Sequence, residues 1–530
     1  MSLYVAFIYL WGLSFTCFIS GFQAKYLTFA GDFAARFTTA YRYDAADQLV
    51  EVKAPEVKVE KAGSASDLRP TVKYGYDSAG RRTHSVDPEG RTTTAAFDRL
   101  GRTTSVTAAP YTPPGGSTLT PKAGYTYDAA GRVTKFTDPR GSVWTTDYDA
   151  LGNQVRAVEP GPDGQPGGQW TYEYDTVGEL LKSVDPNGAQ SQATYDDLGR
   201  PITATIVERK PTLKSLITKM EYDDAGNKVK EISPGNRTVD YALNPAGEIT
   251  SITDPLQDVT RYEYDLAGRL TKSIDPLDNA TVTEYDLAGR QTATKDLNAS
   301  GVLQRTFGTA YDVAGNPVTD TSGEGRVVRR VYDATDAMVE LVEPVATGKT
   351  ITTTFGYDAT GEMTRSTDGR GNTVWTTYNS LGLPESTVEP ATQAHPQPAD
   401  RTWTTAYDAG GNVTSVAAPG GVRVDRKYDH LGRLTKETGA GAQVATPERT
   451  YGYDLTGRET AIGDYALEYN DRGLLTKVSR NAVQTAAFAY DDMGNVTQRV
   501  DASGTATFGW DNDDRLRTAA EPVTAASPGT

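Results

Sequence analysis

One short motif recurs along almost the whole of this 530-residue sequence: Tyr-Asp, with Gly three residues after the Asp. Allowing substitutions, there are 21 copies between Tyr43 and Trp510, and ten of the intervals between neighbouring copies are 21 residues. Clear copies begin at Tyr264 and Tyr285. A fixed period of this kind indicates a repeat architecture, which constrains the fold more than composition does.

The substitutions within the motif indicate that Asp-x-x-Gly is a turn. Asp and Asn suit the first position of a type I turn, because their side chains accept a backbone N–H two residues on. Gly suits a position with positive φ, and Asp is one of the few other residues that tolerate it. Each of the three motif positions keeps its usual residue in 18 copies. Tyr is replaced by Phe97, Leu243 and Trp510, Asp by Asn244, Asn379 and Asn470, and Gly by Asp47, Asp336 and Asp514.

A second turn follows the Tyr by 11 residues and contains Asp-Pro, as in Asp87-Pro88-Glu89-Gly90. Pro at the second position presets φ for a type I or II turn. Between the two turns lie Thr-, Val- and Ile-rich segments of about six residues, which is strand composition and length. Each repeat is therefore predicted to be one β-hairpin.

Longer intervals alternate with the 21-residue intervals, and the added residues fall in the connection after every second Tyr. Two such insertions, 112–117 and 161–168, have loop composition. We expect these loops to lie along one rim of a single elongated or wound all-β sheet rather than between separate domains.

Composition excludes several classes of function. The net charge of −16 and the lack of a basic stripe argue against a nucleic-acid partner. The single Cys17 excludes an intrachain disulfide framework.

Both ends of the chain differ from the repeats. Leu3 to Phe22 carries no charge and is long enough to span a membrane, so residues 1–25 are predicted to be a signal- or anchor-like segment. An uncleaved anchor, a cleaved signal and a misplaced start all remain open. Residues 518–530 are predicted to be a tail. The expected location is outside the cell or at its surface, with possible anchoring by residues 3–22.

The Tyr-Asp-x-x-Gly-Arg motif at 21-residue spacing resembles the YD repeats of the Rhs family, found in bacterial polymorphic toxins and animal teneurins. The resemblance covers residues 41–517 and implies a teneurin-like YD shell, in which a β-sheet is wound as a spiral into a partial hollow shell. About 42 strands spaced by roughly 4.8 Å would form a ribbon on the order of 200 Å, enough for about two windings.

In the family's toxins the shell encloses a C-terminal effector, and an Asp-Pro-x-Gly-Leu segment releases it. Here the Asp-Pro-x-Gly copies precede Arg91, Ser142 and Ala189 instead of Leu. Self-cleavage is therefore not carried over, and we expect a truncated member, a fragment of a longer gene product, or a member with degenerate function.

No catalytic, cofactor or metal site is predicted, and the protein is not expected to be an enzyme. His84, His395 and His430 are scattered, and adjacent acids such as Asp196-Asp197, Asp223-Asp224 and Asp491-Asp492 occupy predicted turns. The run from Asp511 to Asp514 lacks the Gly and Glu of a Ca²⁺ loop. The Arg that often follows the turn Gly, such as Arg269, is expected to pair with Asp of a neighbouring hairpin or to cover a Tyr ring, rather than bind an anion.

Three functions were weighed. The first is a non-enzymatic structural shell that encloses or presents a polypeptide effector in interbacterial or host interaction, without a cofactor and as a monomer. The alternative is a cell-surface adhesion or carbohydrate-binding module, with contacts from the inserted loops and from exposed Tyr and Trp residues, namely Trp144, Trp170, Trp375 and Trp403. An autoproteolytic toxin component is disfavoured by the missing closing segment.

Overall fold

The computed structural model describes residues 38–522, apart from residues 62, 163, 164, 211 and 445. The predicted signal- or anchor-like segment at 1–25 and the end of the predicted tail lie outside the described residues. Within that part of the chain, none of the helices has the length and apolar character needed to cross a membrane.

The described chain is built from 44 β-strands, numbered here in chain order. The first 22 are β1 (Ala40–Tyr43), β2 (Leu49–Lys53), β3 (Val57–Lys61), β4 (Ser64–Leu68), β5 (Thr71–Tyr76), β6 (Arg82–Val86), β7 (Thr92–Phe97), β8 (Thr103–Thr107), β9 (Lys122–Tyr127), β10 (Val133–Thr137), β11 (Val143–Tyr148), β12 (Gln154–Pro160), β13 (Pro166–Tyr174), β14 (Leu180–Val184), β15 (Gln190–Tyr195), β16 (Pro201–Glu208), β17 (Lys214–Tyr222), β18 (Lys228–Ser233), β19 (Arg237–Leu243), β20 (Ile249–Thr253), β21 (Val259–Tyr264) and β22 (Leu270–Ile274).

The other 22 are β23 (Ala280–Tyr285), β24 (Gln291–Leu297), β25 (Leu303–Tyr311), β26 (Pro317–Thr321), β27 (Val327–Tyr332), β28 (Met338–Ala346), β29 (Lys349–Tyr357), β30 (Met363–Thr367), β31 (Thr373–Tyr378), β32 (Pro384–Val388), β33 (Thr402–Tyr407), β34 (Val413–Ala417), β35 (Arg423–Tyr428), β36 (Leu434–Ala440), β37 (Arg449–Tyr453), β38 (Glu459–Ile462), β39 (Tyr465–Tyr469), β40 (Leu475–Arg480), β41 (Val483–Tyr490), β42 (Val496–Asp501), β43 (Gly504–Trp510) and β44 (Leu516–Ala520). Short 3₁₀ segments lie at Pro398–Arg401 and Pro419–Gly421. Strand β44 includes residues 518–520, which the sequence analysis placed in the tail.

The strands form one long open sheet in which neighbours along the chain pair antiparallel. The interruption is the hairpin β3–β4, since β2 pairs directly with β5. This hairpin reaches a distant part of the sheet, where Val59 of β3 forms a parallel bridge with Tyr357 of β29. The predicted all-β architecture of tandem hairpins is confirmed.

Both kinds of turn have the predicted geometry. In the Asp-Pro turn the Gly90 N–H donates to the Asp87 carbonyl at 2.9 Å and Gly90 has φ +84°. The copy at Asp265 shows the Tyr-Asp turn. The Gly268 N–H donates to the Asp265 carbonyl at 3.0 Å, and the Asp265 N–H donates to the Arg269 carbonyl at 3.0 Å. Gly268 has φ +76°, and the register shifts by one residue at Tyr264, so the turn closes with a bulge. The substitutes Asp47, Asp336 and Asp514 also have positive φ, of 59°, 64° and 59°.

Strict alternation of strand direction sorts the connections onto two rims. The Asp-x-x-Gly turns of the motif follow the strands that end in Tyr, and we call their edge the Tyr-Asp rim. The Asp-Pro turns and the longer connections, such as 108–121 and 389–401, lie on the opposite edge, which we call the Pro rim. The prediction that the longer loops share one rim is confirmed.

The sheet winds back onto itself as a spiral. The Asp-Pro turn between β6 and β7 lies against the Tyr-Asp turn between β29 and β30, where the Ala359 N–H donates to Glu89 at 3.2 Å. One winding therefore takes 23 strands at this point and 25 strands where Arg140 meets the turn of Asp429, or about 110–120 Å of circumference at roughly 4.8 Å per strand. The 44 strands make close to two windings, as the ribbon estimate predicts.

Apolar burial is sparse for a chain of this length, because the wall is a single sheet with two faces. A compact apolar cluster joins Val57 and Val59 of β3 to Ala359, with Ala334 packed against it. Tyr111 is the most buried large side chain, at 2% exposure, and it also lies between windings. Turn networks and contacts between windings therefore matter more to this fold than a central core.

Candidate functional site: turn network and seam

Each motif Asp organises its own turn. The Asp265 Oδ1 atom accepts the N–H groups of Ala267 at 2.9 Å and Arg269 at 3.0 Å. The Oδ2 atom accepts Arg269 Nε at 2.7 Å. The Arg269 guanidinium, together with the backbone N–H groups, holds the pKa of the Asp265 carboxyl below its ordinary value. The same arrangement occurs at Asp286 with Arg290.

The Arg after the turn Gly links successive repeats, although not as the sequence predicted. Its carboxylate partner is the Asp of its own turn, because the turn places both side chains on one side. The reach to the neighbouring hairpin is made by Arg269 Nη1, which donates to the Asp286 carbonyl at 3.5 Å. The predicted cover over a Tyr ring is confirmed, with the guanidinium carbon 4.8 Å from the Tyr285 centroid. Equivalent stacks involve Arg102, Arg132, Arg200, Arg290, Arg433 and Arg458.

The motif Tyr is retained for its hydroxyl as well as its ring. Tyr285 Oη donates to the carbonyl of Leu270 at 2.8 Å, and Leu270 is the first residue of the preceding repeat's second strand. Trp510 replaces the Tyr yet keeps the bond, since its Nε1 donates to the equivalent carbonyl of Val496 at 2.8 Å. Sequence reasoning missed this bond, and the only available signal was the excess of Tyr over Phe.

The two windings meet along a seam, defined as the contacts between Pro-rim connections 54–258 and Tyr-Asp turns 333–515. Its most buried charges come from β16 and the turn after β39. Glu208 is 4% exposed and accepts Asn470 Nδ2 at 2.6 Å, with Arg472 Nε at 3.3 Å. Beside it, Arg209 Nη2 contacts Asp471 Oδ1 at 2.7 Å. Sequence alone did not indicate that these residues, 262 positions apart, would meet.

Polar contacts of this kind recur along the whole seam. Tyr111 Oη accepts the Tyr407 N–H at 3.3 Å, and the two rings meet edge to face. Near the end of the chain Arg515 contacts Asp258 at 3.4 Å. Further seam pairs are Arg91–Glu362, Ser380 with the Pro110 carbonyl, Arg140 with the Asp429 and His430 carbonyls, Asn187–Thr456, Lys214–Asp492 and Arg237–Asp514.

Two seam carboxyls have pKa shifts opposite in sign to those of Asp265 and Asp286. Burial raises the pKa of Glu362, as does the neighbouring Asp358, while Arg91 opposes the rise. Burial also raises the pKa of Glu385, which lies beside Tyr111.

The seam lines a half-open cavity of about 740 Å³ between β16–β17 and β38–β41. Its charged lining residues largely pair with one another: Arg209 with Asp471, Arg458 with Asp454, and Arg472 with Glu208. The charges that line the cavity are thus largely neutralised by one another, and these ion pairs stabilise the contact between the two windings.

The residues weighed for catalysis or metal binding are not brought together. His84 lies in β6, while His395 and His430 lie on separate connections. Asp196, Asp223 and Asp491 each cap a turn, and Asp492 pairs with Lys214 across the seam. Asp511 and Asp514 form a turn, as predicted, and Asp514 pairs with Arg237. Within the described ranges, no group of three or more His, Cys, Asp or Glu side chains is arranged to hold a metal ion.

The four Trp residues proposed as glycan contacts are spread over β11, β13, β31 and β33. Trp144 stacks on Phe136 with centroids 5.4 Å apart, and Phe136 stacks on Tyr125 at 5.3 Å. Trp403 is 39% exposed and donates to Glu389 at 2.9 Å.

This fold defines a class of protein in which Tyr-Asp hairpins form a spiral sheet whose windings are joined along a polar seam. Solved structures share it. The chain matches a chain of the TcdB2-TccC3-Cdc42 crystal structure with a TM-score of 0.60 and 16% identity, covering 89% of this chain and 30% of the other. The Photorhabdus luminescens Tc holotoxin pore gives 0.59 and 14%, covering 92% and 31%. TcdB2-TccC3-TEV gives 0.57 and 13%, covering 90% and 36%.

The family model described as RHS Repeat matches residues 127–166, 244–280 and 469–506. The chain therefore carries Rhs repeats, and the resemblance predicted from the Tyr-Asp motif is confirmed. No curated protein matches the sequence significantly. The chain spans about a third of the length of the solved chains that it matches.

Proposed function

We propose that this protein is a non-enzymatic scaffold of the Rhs type, whose curved wall encloses or presents a polypeptide. The observation that carries the proposal is the seam, because contacts between residues more than 250 positions apart hold a single sheet in a hollow curve. A wall of about 110–120 Å circumference leaves an interior of roughly 20–30 Å after side chains, by the same strand spacing. That space suits an unfolded or small polypeptide.

The repeated residues support a structural role over a chemical one. The polar groups of the motif side chains are used in bonds within the sheet: Arg269 donates to Asp265 and to the Asp286 carbonyl, and Tyr285 donates to the Leu270 carbonyl. The seam carboxylates are likewise paired with cations or amides of the other winding. Partner and location follow the solved relatives: the polypeptide would be a toxin effector, and the scaffold would act outside the producing cell.

Protease protection tests the proposal. An intrinsically unfolded passenger of about 100 residues is fused after Thr530, and its survival in trypsin is compared with that of the same passenger on an unrelated soluble carrier. We expect the passenger on this chain to last at least about tenfold longer, since the curved wall excludes the protease. Equal digestion rates on both carriers would overturn the proposal.

The matched control for that experiment breaks the seam while leaving the repeats intact. Arg209→Ala with Arg472→Ala removes the cations that face Asp471 and Glu208. Protection should fall in this variant if the closed curve is what shields the passenger.

The second candidate, a glycan-binding surface module, is favoured by one observation: the ladder of Tyr125, Phe136 and Trp144 across β9–β11. Stacked aromatic faces are a platform for apolar faces of ligands. Binding to a glycan array that is lost in Trp144→Ala, together with no passenger protection, would favour this function over the scaffold.

A further inference from the structure

The seam shows how one rim of this sheet recognises the other, and two rim segments of the described residues lie outside the seam. We define the upper rim as the Tyr-Asp turns 44–315 and the lower rim as the Pro-rim connections 275–503. The seam joins Pro-rim connections 54–258 to Tyr-Asp turns 333–515. The upper rim consists of Tyr-Asp turns and the lower rim of Pro-rim connections, so these two rims could meet in the same way as the two sides of the seam.

Apolar side chains at the same turn position differ in exposure between the seam and the upper rim. Leu381 and Leu431 precede the turn Gly in seam turns and are half-buried. Leu100, Leu151 and Leu198 occupy that position in upper-rim turns and are 75%, 69% and 76% exposed. The turn is the same in both places, with the following Gly at positive φ. The neighbouring winding therefore accounts for the difference.

One position earlier in their turns, Leu266, Leu287 and Val313 of the upper rim are fully exposed, whereas Leu455 holds that position in a seam turn and is 52% exposed. The lower rim is also apolar at its tips, with Leu277 at 76% exposure and Val483 at 68%. Rows of exposed large apolar side chains on a soluble protein mark interaction surfaces.

Charged residues that the Pro rim uses in the seam also recur at the same turn positions on the lower rim. Arg91 and Arg140 of the Pro rim reach across the seam, Arg91 to Glu362 and Arg140 to the carbonyls of Asp429 and His430. On the lower rim, Arg326 holds the turn position of Arg91, and Arg370 holds that of Arg140, and both are exposed.

The upper rim carries the matching acceptors. Glu179 and Glu248 directly follow the turn Gly, which is the position of Glu362 in the seam. At these two turns the upper rim thus offers a carboxylate, in addition to its apolar tips, at a position that the seam uses.

We propose that the upper rim binds the lower rim of a second copy of this chain, so that copies stack head to tail and continue the spiral wall. The second copy fits because both rims belong to one spiral of the same curvature, and because the contact would extend the chemistry of the existing seam. Such an interface is heterologous and does not close on itself, so it supports open stacks of several copies. This proposal departs from the monomer expected from the sequence.

The test uses two full-length variants, each with one rim altered. The upper variant carries Leu266→Asp, Leu287→Asp and Val313→Asp, and the lower variant carries Arg326→Glu and Arg370→Glu. Light scattering after size exclusion should show the native chain associating in the micromolar range, and each variant should weaken association by at least about tenfold.

Mixing the two variants is the decisive arm, because each retains the rim that the other has lost. A head-to-tail interface predicts that the mixture forms dimers and no larger species. A control variant with Thr94→Asp, Thr126→Asp and Gln192→Asp adds three acids to exposed strand positions away from the rims and should associate like the native chain.

Three outcomes would overturn the proposal: a native chain that stays monomeric throughout, association that neither rim variant weakens, or a mixture that fails to dimerise. Thermal unfolding of every variant establishes that the seam and the repeats are intact, which they should be because all substituted side chains are exposed.

Discussion

At the residue scale, the repeat is maintained by three side chains that complete one another. Asp265 builds its turn, Arg269 links that turn to the next repeat, and Tyr285 receives the guanidinium on its ring while its hydroxyl binds back to Leu270. Local pattern predicted the turn and the stack. It did not predict which Asp pairs with the Arg, because that depends on side-chain directions in a bulged turn.

The turn Gly gives the sharpest residue-scale prediction. Gly268→Val should destabilise the fold by about 1–3 kcal/mol, because a β-branched residue is strained at φ +76°. The added Cβ would also approach Glu248 Oε1 to 2.9 Å. Urea unfolding measures the loss.

Gly268→Asp is the matched control, since Asp occupies the same turn position with positive φ at residues 47, 336 and 514. It should be less destabilising than Val. Equal losses would contradict backbone strain as the cause.

The pKa shifts predict an asymmetric response to acid. The pKa values of Asp265 and Asp286 are depressed, so the stabilisation from these turns is present above the unfolded pKa of about 3.9 and is lost as pH falls through the folded value. The raised pKa values of Glu362 and Glu385 act oppositely and favour the folded state as pH falls from neutral towards about 4.3.

The free energy of unfolding should therefore hold or rise between neutral pH and about pH 5, then fall steeply below about pH 4. Urea unfolding at a series of pH values measures it. Glu362→Gln should flatten the first part of the profile and leave the acid limb unchanged. A steady decline from neutral pH would contradict the assigned signs.

At the element scale, the hairpin β3–β4 is the exception among the repeats. It leaves the sheet, places Val57 and Val59 against Ala359, and buries Glu60 against Arg365, whose Nε lies 2.8 Å from the carboxylate. The repeat period alone could not predict it, because its sequence reads as a longer connection between two ordinary hairpins.

Glu60→Gln tests whether this hairpin fastens the two windings. The change should cost about 1–3 kcal/mol, because Arg365 is mostly buried and would lose its carboxylate. Hydrogen exchange should speed up in β3, β4 and the start of β30. Asp67→Asn is the control on the same hairpin, since its pair with Lys58 is exposed and should contribute little.

At the scale of the whole molecule, the sequence could not predict which residues of the two windings meet in the seam. The strands, both turns and the common rim of the long loops follow from local pattern and period. The pairing of Glu208 with Asn470 depends on how many strands complete a winding, and that number is set by accumulated twist and curvature.

Arg209→Ala should reveal the contribution of the seam. The Asp471 side chain is 7% exposed, so removing its partner should cost about 1–3 kcal/mol in thermal or urea unfolding. Arg261→Ala is the control, because Arg261 and Asp278 form an exposed pair within one winding. Equal effects of the two substitutions would show that the seam adds nothing to stability.

The return of the sheet onto itself after 23 to 25 strands has a consequence for how such a gene can change. Duplicating or deleting one hairpin unit anywhere between Asp87 and Asp358 would shift the downstream turns by one repeat relative to the first winding. Arg91 would then face a different turn from that of Glu362. We therefore expect the gain or loss of one hairpin unit to disturb the fewest seam contacts at the two ends of the array and the most in its middle.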